Sequence, residues 1–109
     1  MIQQVKVLQP IGSLDATKSQ DFKQNITDFI ESGAKILLID FKDVTFMDSS
    51  GLGALVLAFK ALRSADKKLV VCSINEQVRI LFELTGMDKV FEIFPNQDEF
   101  NKILLATST

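Results

Sequence analysis

Two short apolar runs restrict the fold of this chain more than any other feature of the sequence. Residues 36–39 (ILLI) and 69–72 (LVVC) lack the alternation that marks a strand with one wet face. Such runs are typical of strands that are covered on both faces, as in a parallel sheet. Between them, apolar side chains recur at helical spacing from Leu52 to Leu62. The sequence therefore predicts a strand–helix–strand unit at the centre of the fold.

The flanking segments extend this alternation in both directions. Residues 1–8 predict a strand that lies at a sheet edge or ends at Pro10, because proline cannot donate a ladder hydrogen bond. Residues 12–15 (GSLD) predict a turn, and Asp15 is a good N-cap for the first helix, which Gly33 ends.

The C-terminal half repeats the pattern. Asn75 is expected to cap a third helix, Gly86 to end it, and residues 90–93 to form a last strand. Asn96 with Glu99 resembles a capping box for a fourth helix, and residues 106–109 are predicted to be a flexible tail. The order β-α-β-α-β-α-β-α predicts one α/β domain over residues 1–109, with a mostly parallel four-stranded sheet and about four helices.

Charge and composition remove several classes of function. The formal net charge is −2 with no basic run, which argues against nucleic-acid binding. No apolar stretch is long enough to span a bilayer, so the cytoplasm is expected. The chain has no histidine, and its single cysteine, Cys72, is expected to be a core residue. We therefore expect no metal site and no enzymatic activity.

The segment FMDSSGLG, residues 46–53, places polar and flexible residues after the central strand and a short loop. Ser49 is expected at the N-cap or in the first turn of the second helix, where an added anion is well tolerated. Gly51 and Gly53 would let the backbone of another protein approach closely. The segment matches neither a phosphate-binding G-x-x-x-x-G-K-[ST] loop nor a G-x-S-x-G nucleophile turn. A purely capping role for Asp48 and Ser49 remains the alternative.

Read with its flanks, DVTFMDSSGLG at residues 43–53 resembles the signature of STAS domains, and most of all that of the bacterial anti-sigma factor antagonists of the sporulation and stress-response type. GSLD at residues 12–15, ILLIDF at 36–41 and LFELTG at 81–86 are similar to further parts of that family's pattern. The resemblance spans roughly residues 11–94.

The resemblance implies a switch, not a reaction carried out by this chain. Ser49, or as second choice Ser50, would be phosphorylated by a partner anti-sigma factor serine kinase, which binds the ATP, so no cofactor is expected here. The unphosphorylated chain would bind the kinase and free a sigma factor, and a PP2C-type phosphatase would reset it. The resemblance and the polar turn together assign partner-binding roles to Asp15, Met47, Asp48, Ser50, Gly51, Leu52 and Gly53, while Phe46 is expected in the core.

The sequence departs from the family at its N-terminus. Only eleven residues precede Gly12, enough for one strand where family members have a hairpin. We expect either a protected edge and a monomer, or a weak homodimer that pairs through this edge. Two other functions stay open: an unphosphorylated STAS scaffold or small-ligand sensor, and an enzyme that uses Asp48 and Ser49 directly.

Overall fold

A computed structural model describes residues 4–107 of the chain. It contains four α-helices and six strands, with 3-10 turns at Ala16–Lys18 and Met87–Lys89. The strands are β1 (Val5–Leu8), β2 (Gly12–Leu14), β3 (Ile36–Asp40), β4 (Val44–Met47), β5 (Lys68–Cys72) and β6 (Glu92–Phe94). The helices are α1 (Ser19–Glu31), α2 (Ser49–Ser64), α3 (Glu76–Thr85) and α4 (Gln97–Thr107).

The main sheet has four parallel strands in the order β1-β3-β5-β6. All five residues of β3 are buried, which confirms the prediction of a strand covered on both faces. One face packs against α1, α2 and α3, and the other packs mainly against Phe100 and Leu104 of α4. β1 lies at the edge of the sheet, which agrees with the edge position that Pro10 predicted.

Two strands were not predicted. β2 falls in the segment that we expected to be a turn, and β4 falls in the expected short loop after β3. They pair with each other in parallel and form a separate two-stranded sheet. The N-terminal segment therefore holds one strand of the main sheet, and GSLD itself supplies the next strand. Because β2 and β4 are parallel, the helices that follow them, α1 and α2, both begin on the same side of this small sheet.

The predicted helix caps are confirmed. Asn75 accepts a hydrogen bond from the Val78 N–H group, and Gly86 ends α3 with a φ of 76°. The Asn96 side chain accepts from the Glu99 N–H group at the start of α4.

Two boundaries differ from the predictions. The last strand begins at Glu92 instead of residue 90, because residues 87–89 form a 3-10 turn and Val90 closes it by donating to Met87. The helix α4 includes Ala106 and Thr107, so these two residues are not part of a tail. Residues 108–109 lie outside the described residues.

A buried carboxylate, Asp40, ties α4 to the main sheet. Gln97 donates to Asp40 Oδ2 at 2.7 Å and the Lys42 N–H group donates to Oδ1 at 2.9 Å. Burial alone would raise the pKa of Asp40, but these hydrogen bonds and one from Ser73 outweigh burial and hold its pKa below the ordinary value. The neighbouring Cys72 is fully buried, which confirms this cysteine as a core residue, and burial raises the pKa of its thiol.

Candidate functional site

The small sheet brings two aspartates together. Leu14 of β2 and Met47 of β4 are paired residues, and each is followed directly by an aspartate, Asp15 or Asp48. The Asp48 N–H group also donates to the Leu14 carbonyl at 3.3 Å. Parallel strands end at one edge of a sheet, so Asp15 and Asp48 leave the small sheet at the same edge. The resemblance assigned both aspartates partner-binding roles, and the strand register brings their backbones together.

Asp48 is the N-cap of α2. Its backbone is extended, its Oδ1 atom accepts from the Gly51 N–H group at 2.9 Å, and its carbonyl accepts from Leu52 at 2.9 Å. Ser49 is therefore the first residue of the helix. Of the two positions predicted for it, the N-cap and the first turn, the structure shows the first turn. The described residues show no hydrogen bond between the Asp48 carboxylate and the Ser49 hydroxyl, so the contact observed for this carboxylate is the capping one.

The hydroxyls of Ser49 and Ser50 are the groups of this site that are accessible to a partner. Both residues are exposed, and within residues 4–107 neither hydroxyl is hydrogen-bonded to another residue. Both lie in the first turn of α2, where backbone N–H groups without helical partners and the helix dipole favour an added negative charge.

The two glycines of the segment have different roles. A side chain at Gly51 would place its Cβ atom 2.1 Å from the Leu14 carbonyl oxygen, whereas a Cβ atom at Gly53 would meet nothing within 4 Å. Gly51 is buried, so the expectation that it opens the surface to a partner is wrong: it lets α2 approach the backbone of β2. Gly53 is exposed, and its side of the helix is open.

The apolar side chains of the segment are arranged differently from the prediction. Met47 is 0% exposed and Leu52 is 7% exposed, so neither offers the contact surface that we expected, whereas Phe46, expected in the core, is 46% exposed. The reason is an extra residue in β4: Gly12 pairs with Val44, but Ser13 pairs with Phe46. A bulge of this kind lets two consecutive residues, Thr45 and Phe46, face outward.

Two side chains of α3 hold the other edge of β4. The Gln77 amide accepts from the Met47 N–H group at 2.9 Å and donates to the Met47 carbonyl at 2.7 Å. Asn75 donates to the Val44 carbonyl at 3.1 Å while it caps α3. The sequence does not predict these contacts, because they join residues about thirty positions apart and follow no local pattern. They fix the strand from which Asp48 and Ser49 emerge.

The neighbouring helix start is more closed. Asp15 caps the 3-10 turn before α1 and accepts from both the N–H group and the hydroxyl of Thr17. The hydrogen bond from the Thr17 hydroxyl, with smaller contributions from the Thr17 backbone and from Lys18, holds the pKa of Asp15 below its ordinary value. Lys18 itself donates to the carbonyls of Ile11 and Ser13, both at 2.9 Å.

A groove between α1 and α2 leads away from the site. It has a volume of about 910 Å³, and its lining includes Ser49, Ser50 and Gly53 at the end where both helices begin. Within residues 4–107 there is no cluster of three or more side chains of the types that hold metal ions. In the same part of the chain, no helix has the combined length and apolar character needed to cross a membrane.

Comparison with known proteins is consistent across sequence and structure. The family model of the STAS domain matches residues 1–100. The chain is 34% identical over 90 residues to a protein of Listeria monocytogenes named anti-sigma-B factor antagonist, a match that covers 83% of this chain and 79% of the relative.

Three solved structures share the fold. A candidate anti-sigma factor antagonist from Thermotoga maritima superposes with a TM-score of 0.84 at 27% identity, covering 92% of this chain and 86% of that one. The anti-sigma factor antagonist SpoIIAA in its unphosphorylated form superposes with a TM-score of 0.75 at 20% identity, covering 93% and 89%. SpoIIAA from Bacillus has also been solved in a phosphorylated form, with a TM-score of 0.70 at 20% identity and coverage of 93% and 92%. The likeness to SpoIIAA shows the fold alone.

Proposed function

This chain belongs to the STAS domain family and, by homology, to its anti-sigma factor antagonists, and on that premise we propose that it is a binding protein switched by phosphorylation of Ser49. In the unphosphorylated state it binds an anti-sigma factor serine kinase, which then releases its sigma factor. The kinase supplies the bound ATP, and a PP2C-type phosphatase restores the serine. The use of ATP places the cycle in the cytoplasm.

One observation carries the choice of acceptor. Ser49 presents an exposed hydroxyl that makes no hydrogen bond within the described residues, directly after the capping aspartate and in the first turn of α2. A kinase needs an accessible hydroxyl, and here β2 on one side and Gln77 on the other hold the strand that precedes it. Ser50 shares the exposure and is the second candidate.

The same geometry explains how a phosphate would act as a switch. Phosphorylation adds about −1.5 to −2 charge, and the N-terminal end of α2 stabilises that charge within this protein. The phosphate would directly follow Asp48 and lie at the same sheet edge as Asp15, so it adds negative charge to an end of the molecule that already carries two carboxylates. A partner surface shaped for an uncharged serine would then meet bulk, desolvation and repulsion. Binding is lost while the fold remains.

The relatives support this proposal in two ways. The Listeria protein carries the name anti-sigma-B factor antagonist, and SpoIIAA is known in an unphosphorylated and a phosphorylated form. A role in binding also agrees with the chemistry of the site, which offers hydroxyls and capping carboxylates to a partner.

The test is a phosphorylation assay with the purified chain, ATP and each anti-sigma factor serine kinase encoded in the source genome. We expect one added phosphate by mass spectrometry, located at Ser49 by fragmentation. Ser49→Ala should abolish the modification, and the matched variant Ser50→Ala should retain it. Ser49→Asp should bind the kinase at least tenfold more weakly than the wild type.

Two results would contradict the proposal. Modification of Ser50 in the wild type would move the acceptor site by one residue. If none of these kinases modifies or binds the chain, the role of an unphosphorylated scaffold or small-ligand sensor would replace the switch.

A further inference from the structure

The groove between α1 and α2 is a surface feature that the acceptor serine alone does not explain. Its volume of about 910 Å³ is in the upper range for binding sites in proteins. Helical residues line it from Ser19 to Ile30 on α1 and from Ser49 to Ala61 on α2. At the helical rise per residue, each wall is about 17 Å long, which matches three turns of a third helix.

The lining of the groove is mostly apolar, and most of its polar side chains lie at one end. Ile26 and Ile30 of α1 and Leu57 and Ala61 of α2 belong to its apolar lining, and Leu57 is 69% exposed. An exposed leucine beside an apolar groove is the arrangement in which proteins receive the apolar face of an amphipathic helix. The polar end consists of the first turns of both helices and includes Ser49.

Charge indicates which helix would fit. Among the described residues that line the groove, Lys23 is the one charged side chain, and no carboxylate lines it. Lys23 is exposed on α1, about one turn after Ser19. A segment that fills the groove would therefore be apolar on one face and carry an aspartate or glutamate that pairs with Lys23.

We infer that this groove docks an acidic amphipathic helix of the kinase and thereby delivers Ser49 to the active site of that kinase. The inference rests on the proposed function, because the groove and the acceptor serine form one continuous surface through Ser50 and Gly53. Docking in the groove supplies affinity, and the first turn of α2 supplies the reacting hydroxyl. The two contributions can be measured separately, because docking affects KM and Kd, whereas the position of the hydroxyl affects kcat.

The experiment measures phosphorylation kinetics and equilibrium binding with the kinase that modifies the wild type. Leu57→Ala and Lys23→Glu should each raise KM and Kd at least tenfold, while kcat stays within a factor of two and the phosphate still goes to Ser49. Lys23→Arg keeps the positive charge, so its KM and Kd should stay at the wild-type values. The matched controls are Leu84→Ala and Lys89→Glu, because both residues are exposed and neither lines the groove.

The outcomes separate the two proposals. If the wild type is modified at Ser49 but Leu57→Ala and Lys23→Glu behave like their controls, the docking groove is wrong and the switch stands. If no kinase modifies or binds the wild type, both fail. A Leu57-dependent homodimer in sedimentation, or a small amphiphile bound to the wild type but not to Leu57→Ala in native mass spectrometry, would assign the groove to another occupant and overturn the inference.

Discussion

The starts of α1 and α2 are built on the same plan but differ in what they leave open. Each follows a strand of the parallel β2–β4 pair and an aspartate that comes directly after that strand. Asp15 caps the 3-10 turn that precedes α1, Asp48 caps α2 itself, and each carboxylate accepts a backbone N–H group of the turn that follows it. Asp15 also binds the hydroxyl of Thr17, whereas the hydroxyls of Ser49 and Ser50 have no partner within the described residues. The same capping chemistry therefore gives a closed turn in one case and an accessible hydroxyl in the other.

The second difference is how tightly each start is fixed. The start of α2 packs closely against the Leu14 backbone at Gly51, and Gln77 makes two hydrogen bonds to the backbone of the preceding strand. The start of α1 passes through a 3-10 turn, and Ser19 is reached four residues after Asp15. A reactive hydroxyl can be exposed and still well positioned when the backbone beneath it is held from both sides.

Among the variants that test this comparison, Gly51→Ala should reduce the free energy of unfolding most. The new Cβ atom would overlap the Leu14 carbonyl oxygen at 2.1 Å, and backbone cannot move aside as a flexible side chain can. We expect a loss of about 3 kcal/mol in the free energy of unfolding, measured by urea denaturation. Gly53→Ala is the control and should stabilise the protein by about 0.5–1 kcal/mol, since alanine is the better helix former. Equal effects at the two positions would refute the separate roles of the glycines.

Gln77→Ala tests the two hydrogen bonds that Gln77 makes to β4. It leaves the N–H group and the carbonyl of Met47 without the partners they have in this structure. We expect a loss of about 2 kcal/mol and faster hydrogen exchange at the Met47 amide, followed by NMR. The exposed Gln24→Ala on α1 is the control and should change stability by less than about 0.5 kcal/mol. Unchanged exchange at Met47 would show that β2 alone fixes the strand.

Asp48→Ala tests the cap of α2. The Gly51 N–H group loses its acceptor, which should cost about 1 kcal/mol of stability. Asp48→Asn keeps an acceptor and should stay near the wild type, because asparagine is an equally good N-cap. A loss with asparagine as large as that with alanine would mean that the charge, not the capping geometry, matters at this position.

Asp15→Ala should cost less than Asp48→Ala, and its cost should depend on pH. The folded-state pKa of Asp15 lies below the ordinary value of 3.8, so this carboxylate stabilises the fold above that pH. Its contribution is lost as the pH falls through the folded-state pKa. The difference in urea midpoint between the wild type and Asp15→Ala should therefore be constant from pH 7 to 5 and shrink below pH 3.8. A difference that persists unchanged at pH 2 would contradict this assignment.

Ser49→Asp should have the smallest effect on stability. The dipole at the start of α2 favours the new carboxylate, and the nearby Asp15 and Asp48 oppose it, so we expect a change within about 0.5 kcal/mol. Ser50→Asp is the matched control and should behave alike. A large fall in melting temperature for Ser49→Asp would show that this turn does not tolerate negative charge, and would count against a phosphate there.

Local sequence determined most of the secondary structure of this protein. The apolar run at residues 36–39 predicted a strand buried on both faces, and Asn75 and Asn96 cap the helices that their positions predicted. Asp15, predicted to cap the first helix, instead caps the 3-10 turn that leads into α1, whose own N-cap is Lys18. These features depend on residues within a few positions of one another, so the pattern of side chains is sufficient to predict them. The exposed serines after Asp48 belong to the same class.

Only the tertiary structure decided which residues of the site face outward and which are brought together. The β2–β4 register joins Asp15 to Asp48, and the extra residue in β4 exposes Phe46 while Met47 is buried. The contact with the Leu14 backbone made Gly51 a packing residue, although the sequence alone suggested an opening for a partner. Each of these outcomes depends on contacts between segments about thirty residues apart, whose pairing is set when the sheets assemble and not by the neighbours of each residue in the chain.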